Sequence, residues 1–129
     1  VDFTNTVLIM TSNLPGDPYT FFKPEFMNRV DEVVRFRPLT EADLAVIVGI
    51  QLGKLRGRLA TRRLSLVVTP EAEKVLAEKG YDPDFGARPL RRVVQRDVED
   101  PLALVLLGGQ YVEGATVTLD AQGDSIVLR

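Results

Sequence analysis

The 129-residue chain contains no histidine, no cysteine and no tryptophan. Without cysteine it has no disulfide framework, no thiol nucleophile and no zinc-thiolate site. Without histidine it lacks the usual general base at neutral pH and the commonest metal ligand. Ser-His-Asp catalysis is excluded, and no metal site is expected. Long apolar runs are also missing. The longest is Leu102 to Leu107, far short of the roughly 18 residues that cross a bilayer, so no membrane partner is expected. The first ten residues include Asp2 and no basic start; no signal peptide is read there, and a cytoplasmic location is expected. Any chemistry must use carboxylates, arginines, hydroxyls or amides.

What is present is ordinary in amount: 45% hydrophobic and 26% charged residues, enough apolar material to bury a core. The net charge of -2 exerts no overall pull on nucleic acid, and no nucleic-acid partner is expected.

The chain changes character near Pro38. Thr6 to Met10 is a short apolar run without alternation, which predicts a strand buried on both faces. It ends in Thr11-Ser12-Asn13, polar residues placed where ligands bind at the carboxyl edge of open α/β sheets. Leu14 to Tyr19, with Pro15, Gly16 and Pro18, reads as a loop. Phe22 to Met27 suits a helical turn, and Asp31 to Phe36 reads as a second strand. Such a strip is expected to be the tail of an α/β domain.

Beyond Pro38 the pattern is self-contained. Thr40 with Asp43 three residues on approximates a capping box. Leu44, Ile47, Val48, Leu52, Leu55 and Leu59 then form one apolar stripe over about five helical turns. Leu64 to Thr69 predicts a strand. Thr69-Pro70 opens a second helix with Ala72, Val75 and Leu76 inward, and Gly80 is read as its stop. A third helix runs from Pro89 with Leu90, Val93, Val94 and Val98 on one face; Pro101 kinks or restarts it, and Gly108-Gly109 ends it. Ala115 to Asp120 and Ser125 to Leu128, joined across Gln122-Gly123, predict a hairpin. The expected fold is a small α+β domain of about three helices and three strands.

Phe85 to Arg92 reads FGARPLRR. A Gly-Ala pair lets a backbone approach a ligand closely, and an arginine at a loop-to-helix junction suits phosphate, because the guanidinium fork bonds its oxygens bidentately. Taken alone, the octapeptide fits a solvated helix with a basic first turn equally well.

Three elements in order resolve this: the run ending in Thr11-Ser12-Asn13, the stretch Pro24-Glu25-Phe26-Met27-Asn28-Arg29, and Gly80 to Arg92 with its Gly86-Ala87-Arg88. Together they resemble Clp-family AAA+ ATPases, most closely the carboxy-terminal part of the second nucleotide-binding domain of ClpB-type protein disaggregases. The resemblance implies that residues 1–37 are a strip of an α/β large subdomain and that 38–129 are the α+β small subdomain. It implies that Asn13 is sensor 1, orienting the attacking water. Arg29 is then the arginine finger, which acts on a neighbouring subunit's nucleotide, and Arg88 is sensor 2, on the γ-phosphate. Ile47 and Ala87 are implied candidates beside the adenine. The implied cofactor is ATP or ADP with Mg²⁺, and the implied partners are identical subunits in a hexameric ring, aggregated polypeptide and an Hsp70-type co-chaperone system. A Clp unfoldase serving a protease, and a stand-alone nucleic-acid-binding module, are the alternatives.

The departures are specific. The chain has no Gly-x-x-x-x-Gly-Lys-Ser/Thr phosphate loop (Walker A) and no Walker B strand, and Leu14 to Phe22 is short for the family's link between sensor 1 and the finger. Arginines without a backbone cradle leave most phosphate contacts unmade. The purified 129-residue chain is therefore expected to show no steady-state ATP turnover above a buffer blank. Measurable turnover would contradict this reading.

Overall fold

A computed structural model describes residues 1–129 and divides the chain into two units, Val1–Phe36 and Arg37–Arg129.

The first unit contains two single-turn helices, α1 (Pro18–Phe21) and α2 (Pro24–Met27), each with proline in its first turn, where a missing N–H is harmless. Asp17 caps α1 by accepting the Tyr19 amide at 3.0 Å and pairs with Arg35 at 2.9 Å. Phe22 and Phe26 stack with centroids 5.0 Å apart, and Met27 is the one buried side chain of the unit. The strands expected at Thr6–Met10 and Asp31–Phe36 do not form. A strand buried on both faces needs ladder partners along its edges and cover above and below. Neither is supplied here, and Val7, Leu8 and Ile9 are all exposed. The expected loop at Leu14–Tyr19 is shortened because Pro18 already opens α1.

The second unit is the expected small α+β domain. Helix α3 (Glu41–Ala60) begins with the anticipated capping box: Thr40 Oγ1 accepts the Asp43 amide at 3.2 Å, and Asp43 Oδ2 accepts the Thr40 amide at 2.9 Å. The Arg37 guanidinium also bonds the Asp43 carboxylate and, with those Thr40 bonds, holds it well below the usual carboxylate range. Leu44, Val48, Leu52, Leu55 and Leu59 are buried, while Ile47 is half-buried. Strand β1 (Ser65–Val68) follows. Thr69 then caps α4 (Pro70–Gly80), its hydroxyl accepting the Ala72 amide and donating to Asp120.

After a loop come α5 (Leu90–Val94), a π-helical turn (Gln95–Glu99) and α6 (Asp100–Leu107), continuous in direction. The expected proline kink is thus taken up by a wider turn just ahead of Pro101, in which the Asp100 amide bonds the Gln95 carbonyl five residues back. Gly109, at φ +70°, ends α6. Strand β2 (Thr116–Gln122) pairs parallel with β1 and antiparallel with β3 (Ser125–Leu128). The hairpin turns through Gly123-Asp124, one residue later than expected, with Gly123 at φ +61°.

Leu52, Leu76, Leu90, Leu102, Leu119, Val98 and Val117 are almost wholly enclosed in one core. Leu52→Ala is expected to lower the unfolding free energy by about 2–5 kcal/mol through lost contacts and the cavity left behind. Leu8→Ala, at an exposed position, should change it by less than about 0.5 kcal/mol. Urea titration followed by circular dichroism tests both, and comparable losses would refute this assignment of the core.

Candidate functional site

The loop from Tyr81 to Pro89 carries Arg88. Asp82 and Gly86 exchange two backbone hydrogen bonds of 2.8 and 2.7 Å, closing the loop on itself. The Asp82 carboxylate accepts the amides of Asp84 (2.8 Å) and Phe85 (3.1 Å) across its interior. Gly86 stands at φ +64°, left-handed backbone that glycine adopts without a Cβ penalty. The Arg88 amide donates to the Phe85 carbonyl and the Leu90 amide to the Ala87 carbonyl. Pro89 then enters α5 at φ −65°. Every residue around Arg88 is tied down by its backbone. Tyr81 and Phe85, which flank the Gly86-Ala87-Arg88 turn, are 39% and 58% exposed. Hydrogen bonds and one aspartate hold this loop, not aromatic packing.

The Arg88 side chain itself is exposed and has no protein partner. Arg62, Arg91 and Arg92 are likewise exposed and unpaired, whereas several other arginines of this unit are engaged. Arg58 pairs with Glu99, Arg63 with Glu113, and Arg96 with Asp97 at 2.6 Å. Arg96 and then Lys79 hold the Asp97 carboxyl below its ordinary range. Arg88 is therefore a fixed-base guanidinium with all its donors available, an arrangement suited to bidentate bonding of a phosphate. Ala87 beside it is partly exposed, and Ile47 packs one side against the core.

In the first unit, Asn13 is exposed and forms none of the local backbone bonds that would make it a turn residue; Ser12 does so instead, its Oγ accepting the Leu14 amide at 3.2 Å. Arg29 follows α2, exposed, and makes no ion pair with Asp31 or Glu32. No group of three or more histidine, cysteine, aspartate or glutamate side chains converges in the chain. A cavity of about 260 Å³ lies between α3 and α6, lined by Leu55, Leu59, Leu102 and Leu106 with Arg58 and Glu99 at its rim. It includes none of the candidate residues.

Gly80 does end α4, but not in the manner that the sequence predicts. Gly80 is the last helical residue of α4 and is buried, without the positive φ of a helix-stopping glycine. A Cβ there would lie 2.5 Å from Leu90 Cδ1 and 2.9 Å from the Leu90 Cα. Its role is close approach, a property of two helices that no single-segment pattern reveals.

A three-stranded mixed sheet covered by α3 to α6, with an arginine at the loop opening α5, defines a AAA+ small subdomain. The match is specific. Residues 39–119 fit the family described as the C-terminal, D2-small domain of ClpB protein, and the chain belongs to that family. It is 47% identical over 147 positions to the chaperone protein ClpB of Pseudomonas putida, covering 99% of this chain and 17% of that protein. The Corynebacterium diphtheriae protein of the same name is 48% identical, covering 97% and 16%. That of Meiothermus ruber is 46% identical, covering 89% and 16%. The chain thus spans about one-sixth of the length of these relatives. The alignment with the P. putida protein is longer than the 129 residues here. That relative carries residues this chain lacks.

Proposed function

We propose that this chain is the nucleotide-sensing, carboxy-terminal part of a ClpB-type disaggregase, with residues 1–37 from the large AAA+ subdomain and 38–129 forming the small one. The intact protein hydrolyses ATP to thread aggregated polypeptide through a hexameric ring in the cytoplasm, together with an Hsp70-type system. The observation that carries this reading is Arg88: a fixed backbone, a free guanidinium and a loop built around Gly86. The similarity to ClpB relatives supports a disaggregase over a protease-coupled unfoldase.

Phosphoryl transfer asks a protein chiefly for positioning and for positive charge on the phosphoryl oxygens. Arg88 supplies that charge to the γ-phosphate of its own subunit, Asn13 orients the attacking water, and Arg29 acts on the nucleotide of a neighbour. Ala87 and the outer side of Ile47 border the adenine. The phosphate cradle and the Mg²⁺ ligands come from other parts of the protein.

Arg88→Ala in the full-length subunit should weaken ATP by about tenfold to a hundredfold, the loss of roughly 1.5–3 kcal/mol expected for a charge-assisted bidentate bond. ADP, which lacks the γ-phosphate, should bind nearly as before. Calorimetric titration decides, and equal weakening of both nucleotides would mean a purely structural arginine.

Arg29→Ala should instead leave ATP affinity nearly intact while hydrolysis falls by about 10³-fold or more, since a finger stabilises charge that develops in the transition state. Mixed hexamers locate its action. Arg29→Ala subunits with intact sites, assembled with subunits whose own hydrolysis is disabled but whose Arg29 is present, should regain activity. No recovery in mixed rings would exclude action on a neighbour.

A further inference from the structure

We propose that Gly80 is a positioning residue for Arg88, because its missing side chain lets the end of α4 seat against the first turn of α5 at backbone distance. The inference rests on the reading of Arg88 as a phosphate contact. Of the ten glycines in the chain, Gly80 is the one at which an added Cβ meets other atoms under 3.0 Å. Two of the three nearest atoms, Leu90 Cβ at 2.8 Å and Cα at 2.9 Å, are not the free end of a side chain. Rotating Leu90 cannot relieve them. Restoring the 3.4 Å of ordinary contact from 2.9 Å moves the Leu90 backbone by about 0.5 Å.

That displacement has few places to go. Leu90 is 1% exposed and its own side chain is locked in the core. On its far side Pro89 has a fixed φ, the Leu90 amide bonds the Ala87 carbonyl, and the Arg88 amide bonds the Phe85 carbonyl of a loop closed by Asp82 and Gly86. The linkage between Gly80 and Arg88 is therefore short and stiff. Lys79, the neighbour of Gly80, adds a second tie between the two helical segments through its 3.1 Å contact with Asp97 in the π-turn. Shifts well under the size of an atom matter at such a site, since misplacement by about 1 Å can cost on the order of a hundredfold.

Gly80→Ala in the full-length subunit should raise the Kd for ATP at least about fivefold and leave that for ADP within twofold. Adding Gly80→Ala to Arg88→Ala should cause little further loss, because both remove the same contact. Gly53→Ala is the control: it lies mid-helix in α3 with open space around it and should change neither affinity. Equal weakening of ATP and ADP, or full additivity in the double variant, would overturn the proposal.

Amide chemical shifts in the 129-residue chain separate this inference from the sensor reading. Gly80→Ala should move the Arg88 and Leu90 signals and not those of Glu41 to Leu44. No movement at Arg88 overturns the positioning role whatever the nucleotide data say. Movement at Arg88, with ATP binding unchanged in both Gly80→Ala and Arg88→Ala, would sink the sensor reading and leave the positioning intact. If Gly80→Ala does not fold, Lys79→Ala loosens the same junction by removing the 3.1 Å contact with Asp97. It should show the same ATP-selective loss, and a nucleotide-independent loss would refute the proposal.

Discussion

Everything in the larger unit depends on keeping one face of the long segment from Leu90 to Leu107 in the core. Leu90, Val94, Val98 and Leu102 are exposed by 1%, 2%, 0% and 2%, each four residues from the last. In an uninterrupted α-helix, four residues advance about 400°, so after three steps the stripe would have drifted by about 120°. Leu102 would then point away from the face that Leu90 buries. The π-turn at Gln95–Glu99 accommodates roughly one extra residue and returns the stripe to its starting phase. Pro101 favours this solution, because it cannot donate to a carbonyl in the preceding turn. A single local widening thus reconciles a four-residue apolar repeat with a 3.6-residue helix.

Fixing that phase also fixes what points outward. With Leu90 committed to the core, Arg88, two residues earlier, stays outside it. The ion pairs Arg58–Glu99 and Lys79–Asp97 brace the π-turn against α3 and α4. Partly exposed pairs of this kind contribute little stability, so their value here is geometric. They tie the widened turn to two helices that are themselves anchored by Leu52 and Leu76, both fully buried. Stability comes from the core, and orientation from the contacts at its rim.

Much of this was legible in the sequence wherever the determinant was local. Thr40 with Asp43, Thr69 with Pro70, and the α3 leucine stripe each carry their own instructions, and those elements formed where expected. Elements whose determinants lie elsewhere were misread. Thr6–Met10 has the composition of a strand, yet a strand exists only as half of a pair. The π-turn follows from the phase of residues on both sides of Pro101, not from Pro101 alone. Gly80 looked like a helix stop because glycine usually is one there; only the proximity of Leu90 shows its other role. For the candidate site, the motif residues pointed to Arg88, whereas the hydrogen-bonded support from Asp82 required coordinates.

Arg88 has no protein partner, a state it shares with Arg62, Arg91 and Arg92. The chain has eighteen acidic residues against sixteen basic ones, and Arg58, Arg63 and Arg96 all find carboxylates. Two acids, Asp82 and Asp84, lie within the same loop. Asp82 is turned inward to bond the amides of Asp84 and Phe85, which commits its carboxylate to the loop backbone. An acid pairing with Arg88 would have to be displaced before any phosphate could bind, at a cost in both affinity and rate. Holding Asp82 on backbone amides stiffens the loop and keeps that carboxylate from Arg88, so a substitution at Asp82 would disturb the loop that carries the arginine.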